Sequence, residues 1–158
     1  MYRSPSQLPE TARSTIAEAL NARLADGLDL HSQIKVAHWN IKGPNFAALH
    51  PLFETFAVGL AEFNDEIAER LVTLGGKAKG TVRHVAKVSK LAEYPEATVR
   101  DMEHVKNLAE RIEAYLQGTH ESRRVADEQH DADTVDLLTR VIVDFEKHAW
   151  FLRASLDS

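Results

Sequence analysis

The chain has 158 residues, 44% of them hydrophobic, and a formal net charge of −5. That composition excludes a disordered chain and a surface built mainly to neutralise phosphates, and the length suits one domain with a real core. Cysteine is absent, which removes disulfides and thiolate metal sites. No apolar run reaches transmembrane length and none follows the charges of "MYRSPSQLPETARS", so a cytoplasmic protein is expected.

Four segments have helical periodicity and none alternates like a strand. The first is predicted from about Thr11 to Ile41, with Thr15 and Glu18 spaced as a capping box and Ile16, Leu20, Leu24 and Ile34 as its apolar face. "KGPN", Lys42 to Asn45, breaks the chain. The second starts near Phe46 and stops at Gly75-Gly76, with a core stripe through Leu49, Phe53, Phe56, Leu60, Phe63, Ile67, Leu71 and Leu74. Pro51 lies near its start, where few amide hydrogen bonds are lost.

About twenty residues follow, far more than a hairpin needs, with Val82, Val85, Val88 and Leu91 suggesting a short helix within them. The third long helix comes after Pro95 and carries Met102, Val105, Leu108, Ile112 and Leu116. The fourth starts near Asp133 and carries Leu138, Val141, Phe145, Ala149 and Leu152. A long crossover after two antiparallel helices points to an all-α, ferritin-like four-helix bundle. The expected organisation is one domain, 1–158, with residues 1–10 as a short flexible tail.

A di-iron site inside such a bundle needs Glu-x-x-His on two helices. None of the eight histidines has Glu three residues before it; only Asp101 before His104 and Asp127 before His130 come near. The second helix instead gathers His50, Glu54, Asp65 and Glu69 in one sector away from its core stripe, although His50 and Glu69 lie about 28 Å apart along the axis. Two copies packed antiparallel about a two-fold axis near positions 59 and 60 would set His50 against Glu69 and Glu54 against Asp65, with Ala57, Val58 and Ala61 at the crossing. His38, just before the turn, would be a fifth ligand. Imidazole and carboxylate without sulfur suit iron, zinc or manganese. Solvated polar residues on a helix face are the other reading, and geometry alone leaves both open.

"AHWNIKGPNFAALHPLFE" followed by "NDEIAERLVTLGG" resembles the signature of the Dps proteins, the bacterial mini-ferritins, and the last helix resembles theirs as well. The resemblance implies a hollow homododecamer with ferroxidase centres at two-fold contacts and iron-admitting pores at three-fold ones. It implies that Asp65 and Glu69 of one subunit and His38 of the other hold a first iron, while His50 and Glu54 flank a weaker second position. Many members carry Asp where this chain has Glu54. The implied reaction oxidises two Fe²⁺ with hydrogen peroxide and stores ferric mineral; zinc is the expected substitute in crystals. Trp39 is either a trap for stray oxidising equivalents or an aromatic filling a subunit contact.

Asp127, Asp131, Asp133 and Asp136 cluster around the start of the last helix, and Asp127 and Asp136 are the first choices for the pore, helix capping being the alternative role. Nucleoid DNA binding is the rival function. The tail carries only Arg3 and Arg13, and the basic crossover (Lys77, Lys79, Arg83, Lys87, Lys90) reads best as a solvated face, so DNA binding is expected to be weak or absent.

Overall fold

The computed structural model describes residues 1–156, which form α1 (Glu10–Asn40), α2 (Phe46–Thr73), α3 (Val82–Val88), α4 (Asp101–Glu128) and α5 (Ala132–Leu156), with no strand among them. Helix α1 packs along α2 and α4 along α5, and the α1–α4 contact joins the two hairpins into one bundle. The predicted stripes meet in its core: Ile16, Leu20, Ile34, Phe53, Phe56, Leu60, Val105, Ile112, Val141 and Phe145 are all at most 1% exposed. No helix of the described residues is long and apolar enough to cross a membrane.

Two readings need correction, and a third gains a detail. Thr15 and Glu18 do not cap α1, because Pro9, with its ring-fixed φ, opens the helix one residue before Glu10; the Thr15 hydroxyl donates to the Thr11 carbonyl within the helix. Ala57 is 1% exposed and belongs to the chain's own core, so of the three small residues placed at the crossing only Val58 and Ala61 face outward. Helix α3 exists but buries none of its residues, and Val82 is 84% exposed: seven residues lying against α1 cannot hide an apolar face.

Helices α2 and α4 end in the same way. Gly76 N–H donates to the Leu71 carbonyl and Gly75 N–H to Val72, the Schellman pair, with Gly75 at φ +89°. At the end of α4, Asp131 N–H donates to Ala126 and His130 N–H to Asp127, with His130 at φ +58° where a glycine is usual. Residues 1–9 run back along the end of α2: Tyr2 N–H donates to the Gly75 carbonyl, the Ser4 hydroxyl to Thr73, and the Arg13 guanidinium to Leu74.

Candidate metal centre

The centre is built on the turn between α1 and α2. Gly43 sits there at φ +150°, and a Cβ on it would lie 2.4 Å from the Asp101 carboxyl carbon. Asp101, the first residue of α4, accepts from the Asn45 amide and side chain at 2.9 and 3.0 Å. The Asn45 amide bond above all holds its carboxyl below the ordinary carboxylate range. Asp101 N–H donates to the Lys42 carbonyl and Lys42 N–H to Val99, so the turn is stitched to the start of α4. Asp101 therefore serves the turn and forms no metal-binding pair with His104.

Diverting the Lys42 amide to Val99 leaves the His38 carbonyl without its next helical donor. His50 fills the role: its Nδ1 donates to the His38 carbonyl at 2.8 Å, and His38 Nδ1 donates to the His50 carbonyl at 2.8 Å. The two rings stack at 3.8 Å and 19°, with Phe46 over the outer face of His50 at 4.9 Å. A carbonyl oxygen can only accept, so both Nδ1 atoms carry a proton, and in the neutral ring Nε2 is then the nitrogen that keeps a lone pair. That is the tautomer a metal ligand needs, fixed by the hydrogen bond on its other nitrogen.

Glu54, one turn beyond His50, places Oε2 3.5 Å from His38 Nε2 and receives a hydrogen bond from Lys35 Nζ. The Lys35 bond is the main reason its carboxyl sits below the usual range. His38, His50 and Glu54 line one cavity of about 480 Å³ together with Pro51 and Val58.

Asp65 and Glu69 are exposed further along α2. Asp65 lines a different cavity of about 380 Å³ with His31, Ala61 and Ala68, and eleven residues of helix separate it from Glu54, about 16 Å. Burial first, and Lys35 second, hold His31 below its ordinary pKa. Among the described residues, no three histidine or acid side chains of one chain converge as a complete metal-holding group.

The profile of the ferritin-like domain matches residues 17–158. The DNA protection during starvation protein of Agrobacterium fabrum is 38% identical, across 99% of this chain and 96% of that one. The Dps protein of Mycobacterium smegmatis superposes with a TM-score of 0.94 at 29% identity, over 99% of this chain and 95% of that one. The chain belongs to the Dps family. The Dps protein of Vibrio cholerae, described as a member of a broad superfamily of ferritin-like diiron-carboxylate proteins, superposes at a TM-score of 0.92 and 27% identity, covering 99% of this chain and 98% of that one.

The remaining sequence candidates of this Dps chain lie apart from the histidine pair. Trp39 is 67% exposed, with Lys35 Nζ 5.8 Å from its ring. Asp127 is exposed in the last turn of α4 and Asp136 is exposed on α5, its Oδ2 3.7 Å from Arg140 Nε. Asp131 caps α5: it is buried, accepts from Thr134 N–H at 3.2 Å and the Thr134 hydroxyl at 2.5 Å, and pairs with Arg70 at 2.7 Å. Asp133 is exposed, 3.9 Å from Arg70. Lys35 is the residue sequence reasoning passed over, while Asp101 was weighed only as a partner for His104 and its bonds to the turn were missed. Lys35 could have been found three residues before His38, on the same face of α1.

Proposed function

We propose that this Dps chain is a ferroxidase and iron store, oxidising Fe²⁺ with hydrogen peroxide at sites shared between two subunits and holding ferric mineral in a hollow cytoplasmic homododecamer. The reciprocal His38–His50 lock carries the reading, because it ties down both Nδ1 atoms and leaves Nε2 of each ring as the nitrogen open to a metal. Antiparallel pairing of two α2 helices would set Glu54 against Asp65 of the partner subunit and His50 against Glu69 of the partner subunit. The outward-facing Val58 and Ala61 would then meet at the crossing.

In this reading Fe²⁺ is the substrate. His38 with Asp65 and Glu69 of the partner subunit would hold the first ion, while His50 and Glu54 flank the second, with Glu69 able to bridge. Each Fe²⁺ gives up one electron, the peroxide O–O bond breaks, and two protons complete two waters. Acting together, the two ions avoid a one-electron step that would release hydroxyl radical. Carboxylates favour the ferric product, and neutral imidazoles limit the negative charge that would retain it. Zn²⁺ fits the same donors without redox chemistry.

Anomalous-difference maps of crystals soaked in Fe²⁺ test the assignment. Peaks between the His38–His50 pair and the Asp65–Glu69 pair of a neighbouring subunit are expected, and peaks confined elsewhere would overturn it. DNA retention should be weak: Arg13 is engaged by the Leu74 and Leu8 carbonyls, leaving Arg3 and the N-terminal amine as the exposed cations of the tail. Tight plasmid retardation at physiological salt would contradict that.

A further inference from the structure

The groove between α1 and α2 holds polar groups that the ferroxidase reading leaves without a task. His31 of α1 and Asn64 and Asp65 of α2 line one cavity of about 380 Å³, with Leu28 and Ala68 as apolar wall and Gly80 reaching it from the crossover. An imidazole, a carboxamide and a carboxylate thus share one space. All three belong to the same chain, so the cavity draws on no second subunit.

Asn64 decides what the cavity is for. It is 4% exposed, and neither its Oδ1 nor its Nδ2 has a hydrogen-bond partner among the described residues. A buried carboxamide left unpaired is costly, and such a group in a native fold calls for a ligand or ordered water. The backbone makes room for it: a Cβ on Gly27 would lie 2.1 Å from Asn64 Oδ1. The His31 ring and the Asp65 carboxylate likewise have no hydrogen bond or ion pair among the described residues. Both His31 nitrogens are therefore open, unlike those of His38 and His50. The neighbouring cation Lys35 is engaged by Glu54 and does not neutralise Asp65.

We propose that this cavity is a divalent-cation site, with a His31 ring nitrogen and an Asp65 carboxylate oxygen as ligands and Asn64 holding the water shell of the cation. One imidazole, one hard oxygen donor and no sulfur suit Fe²⁺, Mn²⁺, Co²⁺ or Zn²⁺, with water in the remaining positions. A water on the cation donates to Asn64 Oδ1, and the same shell offers Nδ2 an acceptor. The site itself stands on one chain. Its link to iron oxidation rests on the ferroxidase reading, in which Asp65 also serves the first iron and an ion held here waits one ligand away.

Crystals of the iron-free assembled protein soaked in Co²⁺, with anomalous-difference maps at the cobalt edge, test the site. A peak should lie between His31, Asn64 and Asp65 of one chain. It should persist in the His38→Ala/His50→Ala double variant, which lacks both imidazoles of the shared centre, and vanish in His31→Phe. No cavity peak in the native protein would mean water alone and overturn the proposal, as would an unchanged peak in His31→Phe.

Titration calorimetry with Co²⁺ in the double-variant background supplies the second arm. Asn64→Leu removes the unpaired amide for an apolar group of similar size, a change the core should accept. It should weaken Co²⁺ binding by about 10–100-fold, the usual loss when a group that orients the ligands is removed. Unchanged affinity would overturn the proposal. A cavity peak with none between the His38–His50 pair and a neighbouring subunit would support this site and count against the ferroxidase reading, and the opposite pattern would do the reverse.

Discussion

The imidazoles of His38 and His50 hold one another in place, each Nδ1 donating across 2.8 Å to the main-chain carbonyl of the other residue. If the pair binds metal as proposed, loss of either ring removes one ligand and also releases the other from its tautomer and its orientation. His38→Ala and His50→Ala should each weaken Fe²⁺ or Zn²⁺ binding by about 10–100-fold. The double variant should cost clearly less than the product of the two, because the residues act as a unit. Titration calorimetry with Zn²⁺ measures all three, and strict multiplicativity would show that the lock has no bearing on binding.

Lys35 bonds to Glu54, the carboxylate proposed to flank the weaker metal position, and so would compete with a cation there. Lys35→Met should raise affinity at that position by a few-fold, the scale of a partly exposed ion pair. It should also move the acid edge of metal binding. Lys35 holds the Glu54 carboxyl below its ordinary range, so without it the carboxylate protonates at higher pH and metal is lost sooner on acidification. Binding isotherms across the carboxylate range check both the direction and the size.

Much of the fold was legible because its signals are local. The Gly75-Gly76 pair marks the end of α2 since a left-handed residue there is usually glycine. The same hydrogen bonds end α4 at His130, and no sequence rule flags a histidine in that role. The spacing of the candidate ligands along α2 follows helix periodicity, whereas Ala57 was misplaced because an alanine between two stripes fits either face. The Asp101 bonds to the 42–45 turn span more than fifty residues, and the cavity of His31 and Asp65 depends on the path of the crossover at Ala78 and Gly80. Neither leaves a periodic trace.

Asp131 closes the α4–α5 turn, and its stability contribution should depend on pH in a defined sense. Burial alone would raise its carboxyl, but bonds from the Thr134 hydroxyl, Arg70 and the Thr134 amide outweigh it, and the folded carboxyl lies below its ordinary value. A lowered folded value stabilises above the unfolded pKa of about 3.9 and is lost as pH falls through the folded one. Asp131→Ala should destabilise by about 2 kcal/mol at neutral pH, the upper range for a helix cap. The gap from wild type should narrow as pH drops below about 4, which urea midpoints at neutral and acid pH would show.

Asp127 and Asp136 are both exposed on either side of that turn. If they line an iron-admitting pore, Asp127→Asn with Asp136→Asn should slow Fe²⁺ oxidation and leave both the assembled cage and Zn²⁺ binding at the histidine pair intact. The arm that separates admission from chemistry is salt. The native rate should fall as ionic strength rises, because attraction of Fe²⁺ to exposed acids is screened, while the double variant should barely respond. Equal rates in the two proteins at low salt would assign these acids to the surface.

The shared site makes the most specific claim. If sites are shared as proposed, His50→Ala and Asp65→Ala subunits should each lose most ferroxidase activity, because every site would need the histidine from one chain and the aspartate from another. When the two variants are unfolded, mixed equally and reassembled, half of the two-fold pairs should contain one of each. In such a pair, one site lacks both ligands, while the other takes His50 from the aspartate variant and Asp65 from the histidine variant and is whole. Half the pairs carrying one whole site of two should restore roughly a quarter of the native activity. A site within one chain could never recover this way, since no chain in the mixture holds both residues. Mass spectrometry of the cages verifies mixing, and verified mixed cages without activity would rule out ligands shared across the two-fold contact.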